Sequence, residues 1–372
     1  MPEKGLPTMV FVFLRHVGSL FGAFWIAQYI VPILMRAASR LNFFDIPDSH
    51  LKKHERSTPY LGGLAVYYAF IASLSLFSFF GTRVLWLIFG TTMLLFIGLI
   101  DDCKVLSPAQ KFGGQIIAVI CLLRGGFMLK VAFFSSVVNT GASALWMLSV
   151  INAVNLTDVM DGLAATISII SASFFAIIAI FLGDFTISIL TCAFIGAVLG
   201  FFIYNKPPAK IYLGDAGALC IGGILAAMPL LFSWSERQPY GFITPAIILG
   251  VPLLEVASLI VIRTIHGIPF YRGSPHHFCH FLRRKNWNDH QILVTVASFG
   301  SFLGVVGSGL VFGVFSLTAV TILLLLGFAT WALIIFSPLW RIEKVTKLSS
   351  GFEGASTPPR ILEASGRESR GS

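Results

Sequence analysis

The chain is 372 residues long, 56% hydrophobic and only 12% charged, with a net charge of +9. Soluble domains carry about 25% charged residues, so this composition excludes an ordinary soluble protein. Because the positive charge falls in short loops between apolar segments, it favours membrane topology and anionic ligands over nucleic acid binding. The five cysteines have no CxxC spacing, which argues against a disulfide framework or a cysteine zinc site.

Apolar segments long enough to span a bilayer as helices follow one another along most of the chain. They predict an all-α polytopic membrane protein with about eleven transmembrane helices, near residues 9–36, 61–80, 84–100, 113–130, 142–157, 162–182, 185–204, 215–233, 241–262, 291–314 and 317–337. Residues 1–347 are expected to form one transmembrane domain. Residues 348–372 are expected to form a disordered cytoplasmic tail, the end of which is compatible with a cloning remnant.

The loops between these segments fall into two alternating sets. One set is very short, whereas the other is longer, polar and richer in lysine and arginine. Positive residues concentrate in cytoplasmic loops. The polar loops are therefore predicted to be cytoplasmic, with the N-terminus outside and the C-terminus inside.

The first polar loop carries Lys52, Lys53 and His54 shortly before Gly62-Gly63 opens the second segment. Basic side chains beside a glycine-rich helix start suit a lipid phosphate at the membrane surface. A basic loop that only sets topology is the alternative.

The third segment ends in Asp101-Asp102, and Lys104, Lys111 and Gln115 follow within a short distance. Adjacent carboxylates near lipid are costly unless something compensates them. Carboxylates with amines and amide donors suit Mg²⁺ and phosphate. A helix-end pair in water is the alternative.

Asn152, Asn155 and Asp158 are spaced three residues apart and share a face if they lie on one helix, and Asp161 extends the row if the helix continues. Further along, two prolines interrupt the chain and Gly214-Asp215-Ala-Gly217 opens the next segment. Asp215 at that helix start is a candidate metal ligand. A plain turn is the alternative for each, but three acidic clusters on one predicted membrane face favour a shared site.

The last polar loop contains His276, His277 and His280 with Arg283 and Arg284. Zinc binding is an alternative, but a partner Cys/His motif is missing from the sequence. Histidines and arginines facing acidic loops better suit a diphosphate and a sugar.

In this order, the five motifs resemble the polyprenyl-phosphate N-acetylhexosamine-1-phosphate transferase family, over about residues 45–282. The resemblance implies a bundle of ten or eleven transmembrane helices in the bacterial inner membrane, with a cytoplasmic active site. It also implies transfer of a HexNAc-1-phosphate, expected to be GlcNAc-1-phosphate, from a UDP-sugar to polyprenyl (undecaprenyl) phosphate, which releases UMP. A homodimer is compatible with it.

The residues and the resemblance together assign roles to side chains across the five motifs. The catalytic set is Asp101, Asp102, Asp158 and Asp161. The nucleotide-sugar contacts are Asn152, Asn155, Asp158, His276, His277 and His280. The lipid-phosphate contacts are Lys52, Lys53, His54 and Lys111. The metal ligands are Asp215 and Asp102, and the cofactor is Mg²⁺, with Mn²⁺ as a substitute.

Three positions depart from the family's usual pattern. Val159 and Met160 stand where the family has Gly-Leu between the aspartates, and Ala218 replaces a common serine. The histidine segment lacks three consecutive histidines, which favours the GlcNAc-type branch over the phospho-MurNAc-pentapeptide transferases. Two other classes remain as rivals: a secondary transporter and a non-catalytic scaffold. A transporter places charges at mid-bilayer, whereas here only Glu255 lies plainly within an apolar segment.

Overall fold

The computed structural model describes residues 6–41, 58–77, 81–131, 133–236, 238–269 and 276–336. These ranges contain α-helices, three short 3₁₀ turns and no β-sheet. The α-helices are α1 (Leu6–Arg40), α2 (Gly62–Phe77), α3 (Thr82–Cys103), α4 (Pro108–Arg124), α5 (Ser136–Thr157), α6 (Leu163–Leu182), α7 (Phe185–Asn205), α8 (Gly214–Ala227), α9 (Thr244–Ile248), α10 (Gly250–Ile265), α11 (Phe278–Arg284), α12 (Asp289–Val311) and α13 (Leu317–Phe336).

Each predicted apolar segment coincides with one of these helices or with a helix pair, and the prediction of an all-helical polytopic membrane protein is confirmed. Within the described ranges, eight helices are long and apolar enough to cross a membrane, or up to nine if α9 and α10 form one broken span. The count of eleven and the orientation of the termini stay predictions.

Two features differ from the sequence prediction. The segment near 241–262 is not one continuous helix, because the chain bends by 72° between the α9 and α10 parts. The last polar loop contains the short helix α11, which the sequence analysis treated as a loop. Seven residues are too few for a clear helical period, so tertiary packing decides this element.

Helix α8 is the centre of the bundle. Every residue of α8 is buried except Asp215, at its N-terminal end. Glycines let α2 and α3 approach it: a Cβ on Gly63 would lie 2.2 Å from the backbone of Gly217, and a Cβ on Gly98 would lie 2.3 Å from Cα of Ala216. This close packing fixes the position of Asp215 relative to the neighbouring helices.

Large apolar side chains remain exposed around the bundle. Trp25 on α1 is 66% exposed, and Leu325 on α13 is 64% exposed. Exposed large apolar side chains in such numbers are unusual for a soluble protein and suit contact with lipid. Most of the predicted site residues lie instead at helix ends and in loops.

Candidate active site

Asp215 is the centre of a polar network that joins four helices at one end of the bundle. Its Oδ1 atom lies 2.9 Å from Nζ of Lys111 on α4 and accepts a 2.5 Å hydrogen bond from Nδ2 of Asn155 on α5. The same Lys111 ammonium lies 2.9 Å from Oδ2 of Asp101 on α3. The structure thus brings together residues predicted to serve the metal, the acceptor phosphate, the nucleotide sugar and catalysis.

Asp102 has a different environment from its neighbour Asp101. Its Oδ1 accepts the backbone N–H of Asp215 at 2.9 Å, and its Oδ2 accepts that of Ala216 at 3.1 Å. These amides belong to the first turn of α8, where a carboxylate also meets the positive end of the helix dipole. Asp102 therefore holds the N-terminus of α8 against α3, and its predicted catalytic and metal-binding roles stay predictions.

The segment around Asp158 and Asp161 is a turn between α5 and α6. Helix α5 ends at Thr157, so the condition for a continuous helical row through Asp161 is not met. Gly162 has a φ of +73°, a left-handed conformation that glycine adopts without strain. Oδ2 of Asp161 accepts the backbone N–H of Ala209 at 2.8 Å, which ties this turn to the loop before α8.

Asn205 organises that loop, and the sequence analysis gave it no role. Its Oδ1 accepts the backbone N–H of Gly162 at 3.0 Å, and its Nδ2 donates to the carbonyl of Ile211 at 2.9 Å. An asparagine that ends a helix just before two prolines is a signal for such a structural bond. The partner residues are set by the fold and cannot be read from spacing alone.

The acidic cluster carries excess negative charge around Asp158. Partial burial, together with the charges of Asp215, Asp102 and Asp161, raises the pKa of the Asp158 carboxyl to about 8. A carboxyl surrounded by carboxylates takes up a proton more readily, because ionisation costs both solvation and repulsion. A bound cation would relieve the same repulsion.

Asn152 does not join the network around Asp215. It forms a reciprocal amide pair with Gln115: Asn152 Nδ2 donates to Gln115 Oε1 at 2.7 Å, and Gln115 Nε2 donates to Asn152 Oδ1 at 3.2 Å. Gln115 is 1% exposed. The pair links α4 to α5 beside the site, and the predicted contact of Asn152 with a nucleotide sugar stays a prediction.

The three predicted histidines lie at the start of α11. His277 is buried, and its Nδ1 lies 2.9 Å from Oε1 of Glu255 on α10. His280 packs edge-on against His277, and His276 stacks on His266 with ring centroids 5.3 Å apart. Burial and neighbouring positive charges lower the pKa of both His276 and His280, which keeps these two imidazoles neutral near pH 7.

Helix α11 is anchored beside the acidic turn. Its Phe278 and Leu282 share one apolar cluster with Met160 and Leu163, which flank Asp161 and Gly162. Arg283 on α11 makes two hydrogen bonds to Asp289, of 2.8 and 3.0 Å. The histidine segment and the acidic turn therefore lie at the same end of the bundle.

Three of the four predicted lipid-phosphate contacts, Lys52, Lys53 and His54, lie outside the described residues. A groove of about 450 Å³ on α12 contains none of the predicted site residues, and its lining is Trp287, Asn288, His290, Gln291, Val294 and Thr295.

The donor atoms of the cluster suit Mg²⁺ better than zinc. In the described part of the chain, no three His, Cys, Asp or Glu side chains converge as a ready metal cage. Mg²⁺ usually binds one or two carboxylates together with waters and substrate phosphates. Asp101 and Asp215, held on either side of the Lys111 ammonium, are hard oxygen donors that fit this mode.

An all-helical membrane bundle with an acidic and basic cluster at one end defines the class: a polytopic membrane enzyme acting on anionic substrates. Residues 84–233 match the sequence profile of glycosyl transferase family 4. The chain is 32% identical over 264 residues to a probable undecaprenyl-phosphate N-acetylglucosaminyl 1-phosphate transferase of Bacillus subtilis, covering 68% of this chain and 73% of that protein.

A second relative covers more of the chain. The phospho-N-acetylmuramoyl-pentapeptide-transferase of Staphylococcus carnosus is 31% identical over 316 residues, which is 77% of this chain and 96% of that protein. The corresponding transferase of Listeria innocua is 32% identical over 309 residues, 75% of this chain and 92% of that protein. The chain belongs to glycosyl transferase family 4 and is a phosphoglycosyl transferase, as its resemblance predicted.

Proposed function

We propose that this enzyme transfers a HexNAc-1-phosphate, GlcNAc-1-phosphate in the first instance, from a UDP-sugar to undecaprenyl phosphate. The products are undecaprenyl-diphosphate-sugar and UMP, formed at the cytoplasmic face of a bacterial inner membrane. The observation that carries the proposal is the Asp101–Lys111–Asp215–Asn155 network, because it joins carboxylates, an ammonium and an amide at one end of a bundle in this family.

Lys111 is proposed to receive the acceptor phosphate. Its ammonium, held between Asp101 and Asp215, keeps a positive charge close to the carboxylates. Lys52, Lys53 and His54 are proposed to add charge for the lipid headgroup. A phosphate oxygen of the acceptor then attacks the β-phosphorus of the donor. That oxygen is already ionised near neutral pH, so a general base is of little use. The site has instead to align the two substrates and neutralise their charge.

The two adjacent aspartates are proposed to act differently. Asp101 faces Lys111 and is therefore the one assigned to the substrate side, where it would orient the ammonium and accept a proton when needed. Asp102 is assigned to positioning, because its two oxygens hold the first turn of α8. A two-step route through an acyl-phosphate on an aspartate is the less favoured alternative.

Mg²⁺, or Mn²⁺ in its place, is proposed to be held by Asp215 with Asp101 or Asp102 nearby. When bound, it would neutralise the negative charge that develops on the diphosphate. Asp215 is suited to this position because it is the one residue of α8 that is not buried.

The donor half is assigned to Asn155, Asp158 and Asp161, together with the histidines of the α11 segment. The segment around His276, His277 and His280 lacks three consecutive histidines, which supports a UDP-HexNAc donor without peptide. The relatives include both donor classes by name, so phospho-MurNAc-pentapeptide transfer is the alternative.

A donor panel tests the proposal. The purified protein is incubated with undecaprenyl phosphate, Mg²⁺ and either UDP-GlcNAc, UDP-GalNAc or UDP-MurNAc-pentapeptide, and the lipid products are identified by mass. We expect undecaprenyl-diphosphate-HexNAc with UMP as co-product. A product from the pentapeptide donor alone would select the alternative, and solute uptake into proteoliposomes without any lipid product would favour a transporter.

A further inference from the structure

Glu255 is a buried carboxylate in the apolar helix α10. It is 3% exposed, and it follows the 72° bend between α9 and α10. An ionised carboxylate in such surroundings costs several kcal/mol unless it is paired and hydrogen-bonded. The side chain that Glu255 contacts therefore bears directly on its role.

The partner that Glu255 contacts is His277. The Nδ1 atom of His277 lies 2.9 Å from Oε1 of Glu255, and His277 itself is 6% exposed. The positive charge of Arg263, also buried on α10, acts on Glu255 as well.

The contact bears on which nitrogen of His277 carries a proton. The ring N–H is the donor in a histidine–carboxylate hydrogen bond, so we assign the proton to Nδ1. Nε2 is then the nitrogen left to face a ligand, in the same way that a second carboxylate or carbonyl orients ligating and catalytic histidines. His277 is also the N-cap residue of α11, so the contact with Glu255 lies where that helix begins.

We propose that Glu255 is a positioning residue for the donor half of the site: it holds the His277 ring in one orientation and one tautomer, so that Nε2 is presented to the nucleotide sugar. This inference rests on the proposed function, which places His277 against the donor. Glu255 itself does not touch the substrate.

The test is a double-mutant cycle with Glu255→Gln, His277→Ala and the combined variant, with KM and kcat measured separately for the UDP-sugar and for undecaprenyl phosphate. Glu255→Gln keeps the shape but replaces a charge-assisted hydrogen bond with a neutral one. We expect kcat/KM for the donor to fall about ten-fold, mainly through KM, with less than about a two-fold change in KM for undecaprenyl phosphate. The combined variant should be no worse than His277→Ala alone.

Asp184→Asn is the matched control. Asp184 accepts the backbone N–H of Ile187 at 3.0 Å and caps α7, so its hydrogen bond does not involve the predicted site residues. The same carboxylate-to-amide change there should leave the donor KM within about two-fold of wild type. If Glu255→Gln lowers the yield of folded enzyme, KM still reports on the folded fraction, since it does not depend on enzyme concentration.

The outcomes separate this proposal from the proposed function. Additive effects of Glu255→Gln and His277→Ala, or equal damage to both substrates, would overturn the positioning role. An unchanged donor KM in His277→Ala, with lipid product still formed, would overturn it too while leaving the transfer reaction intact. Wild-type enzyme that forms no lipid product with any UDP-sugar would instead refute the proposed function.

Discussion

The carboxylate of Asp215 is held from two sides by side chains of other helices. Lys111 and Asn155 both bind its Oδ1 atom, while Asp102 binds its backbone N–H. We expect its second carboxylate oxygen to meet a metal or a substrate phosphate. At the scale of single residues, this makes Asp215 the side chain on which the proposed chemistry depends most.

Asp215→Asn is expected to lower kcat by on the order of a hundred-fold or more at saturating donor, because it removes charge needed in the transition state. It should also weaken Mn²⁺ binding, measured by electron paramagnetic resonance without substrates. Asp184→Asn is the control: Asp184 caps α7 through a 3.0 Å bond from Ile187, and its loss should affect stability alone. Normal turnover by Asp215→Asn would refute the metal-site assignment.

Asp158 gives a pH-dependent prediction. Its pKa is raised to about 8 by burial and by neighbouring carboxylates. An unfolded aspartate titrates near pH 4, so the folded protein loses stability at this group as pH rises from about 4 to about 8. In EDTA, Asp158→Asn should melt at a higher temperature than wild type at pH 8, and the difference should narrow toward pH 5. A difference that is the same at both pH values would contradict the assignment.

At the scale of helices, the position of Asp215 in the candidate active site depends on how closely α3 approaches α8. A Cβ on Gly98 would lie 2.3–2.5 Å from the backbone of Asp215 and Ala216, which cannot move without moving the site. Gly98→Ala is therefore expected to cost roughly 1–3 kcal/mol of stability and to lower kcat. Gly141→Ala on α5 is the matched control, since nothing lies within 4 Å of a Cβ there.

The two glycine variants are compared by thermal melting and by turnover of the UDP-sugar. Gly141→Ala should be neutral or slightly stabilising, because alanine is the better helix former. If Gly98→Ala behaves like Gly141→Ala, the close contact between α3 and the start of α8 does not constrain Asp215.

The helices themselves were predictable because long apolar runs have few alternative structures. The sequence also placed Asp101, Lys111 and Asp215 on one membrane face, and the structure joins them by 2.9 Å contacts. What spacing could not give is the partner of each polar side chain. Asp102 was predicted to bind a metal and Asn155 to contact the nucleotide sugar. In the structure, Asp102 accepts backbone N–H groups of α8, whereas Asn155 donates to the Asp215 carboxylate.

Long-range pairs explain the features that were missed. Glu255 stood out as the acid within an apolar segment, but its bond to His277 spans a bend and a loop that local periodicity does not describe. Asn152 likewise shares its helix face with Asn155, yet its amide is matched by Gln115 on another helix. Such pairs depend on how helices pack against each other, and the sequence pattern of one helix does not determine which residues of another helix it will contact.

At the scale of the whole molecule, the predicted orientation can be tested with a native residue. Cys103, at the end of α3 beside Asp101 and Asp102, is exposed, whereas Cys192, Cys220 and Cys279 are buried. If the active end is cytoplasmic, Cys103 should resist a membrane-impermeant maleimide in intact cells and react after permeabilisation. This prediction follows from the lysine and arginine distribution.

Gly81→Cys in a Cys103→Ser background supplies the reciprocal measurement. Gly81 lies at the other end of α3, in open space, roughly 33 Å away at 1.5 Å per residue. It should label from outside in intact cells. Ready labelling of Cys103 from outside would reverse the topology and place the proposed site on the wrong face.

The central claim is that phosphorus, and not the sugar alone, moves to the lipid. The most direct measurement uses UDP-HexNAc labelled with ³²P at the β-phosphorus, together with undecaprenyl phosphate and Mg²⁺. Attack at that phosphorus predicts that the label partitions into the organic phase with the lipid product, while unlabelled UMP appears in the aqueous phase. Label that remains in the aqueous phase as UDP, with sugar on the lipid, would contradict the account.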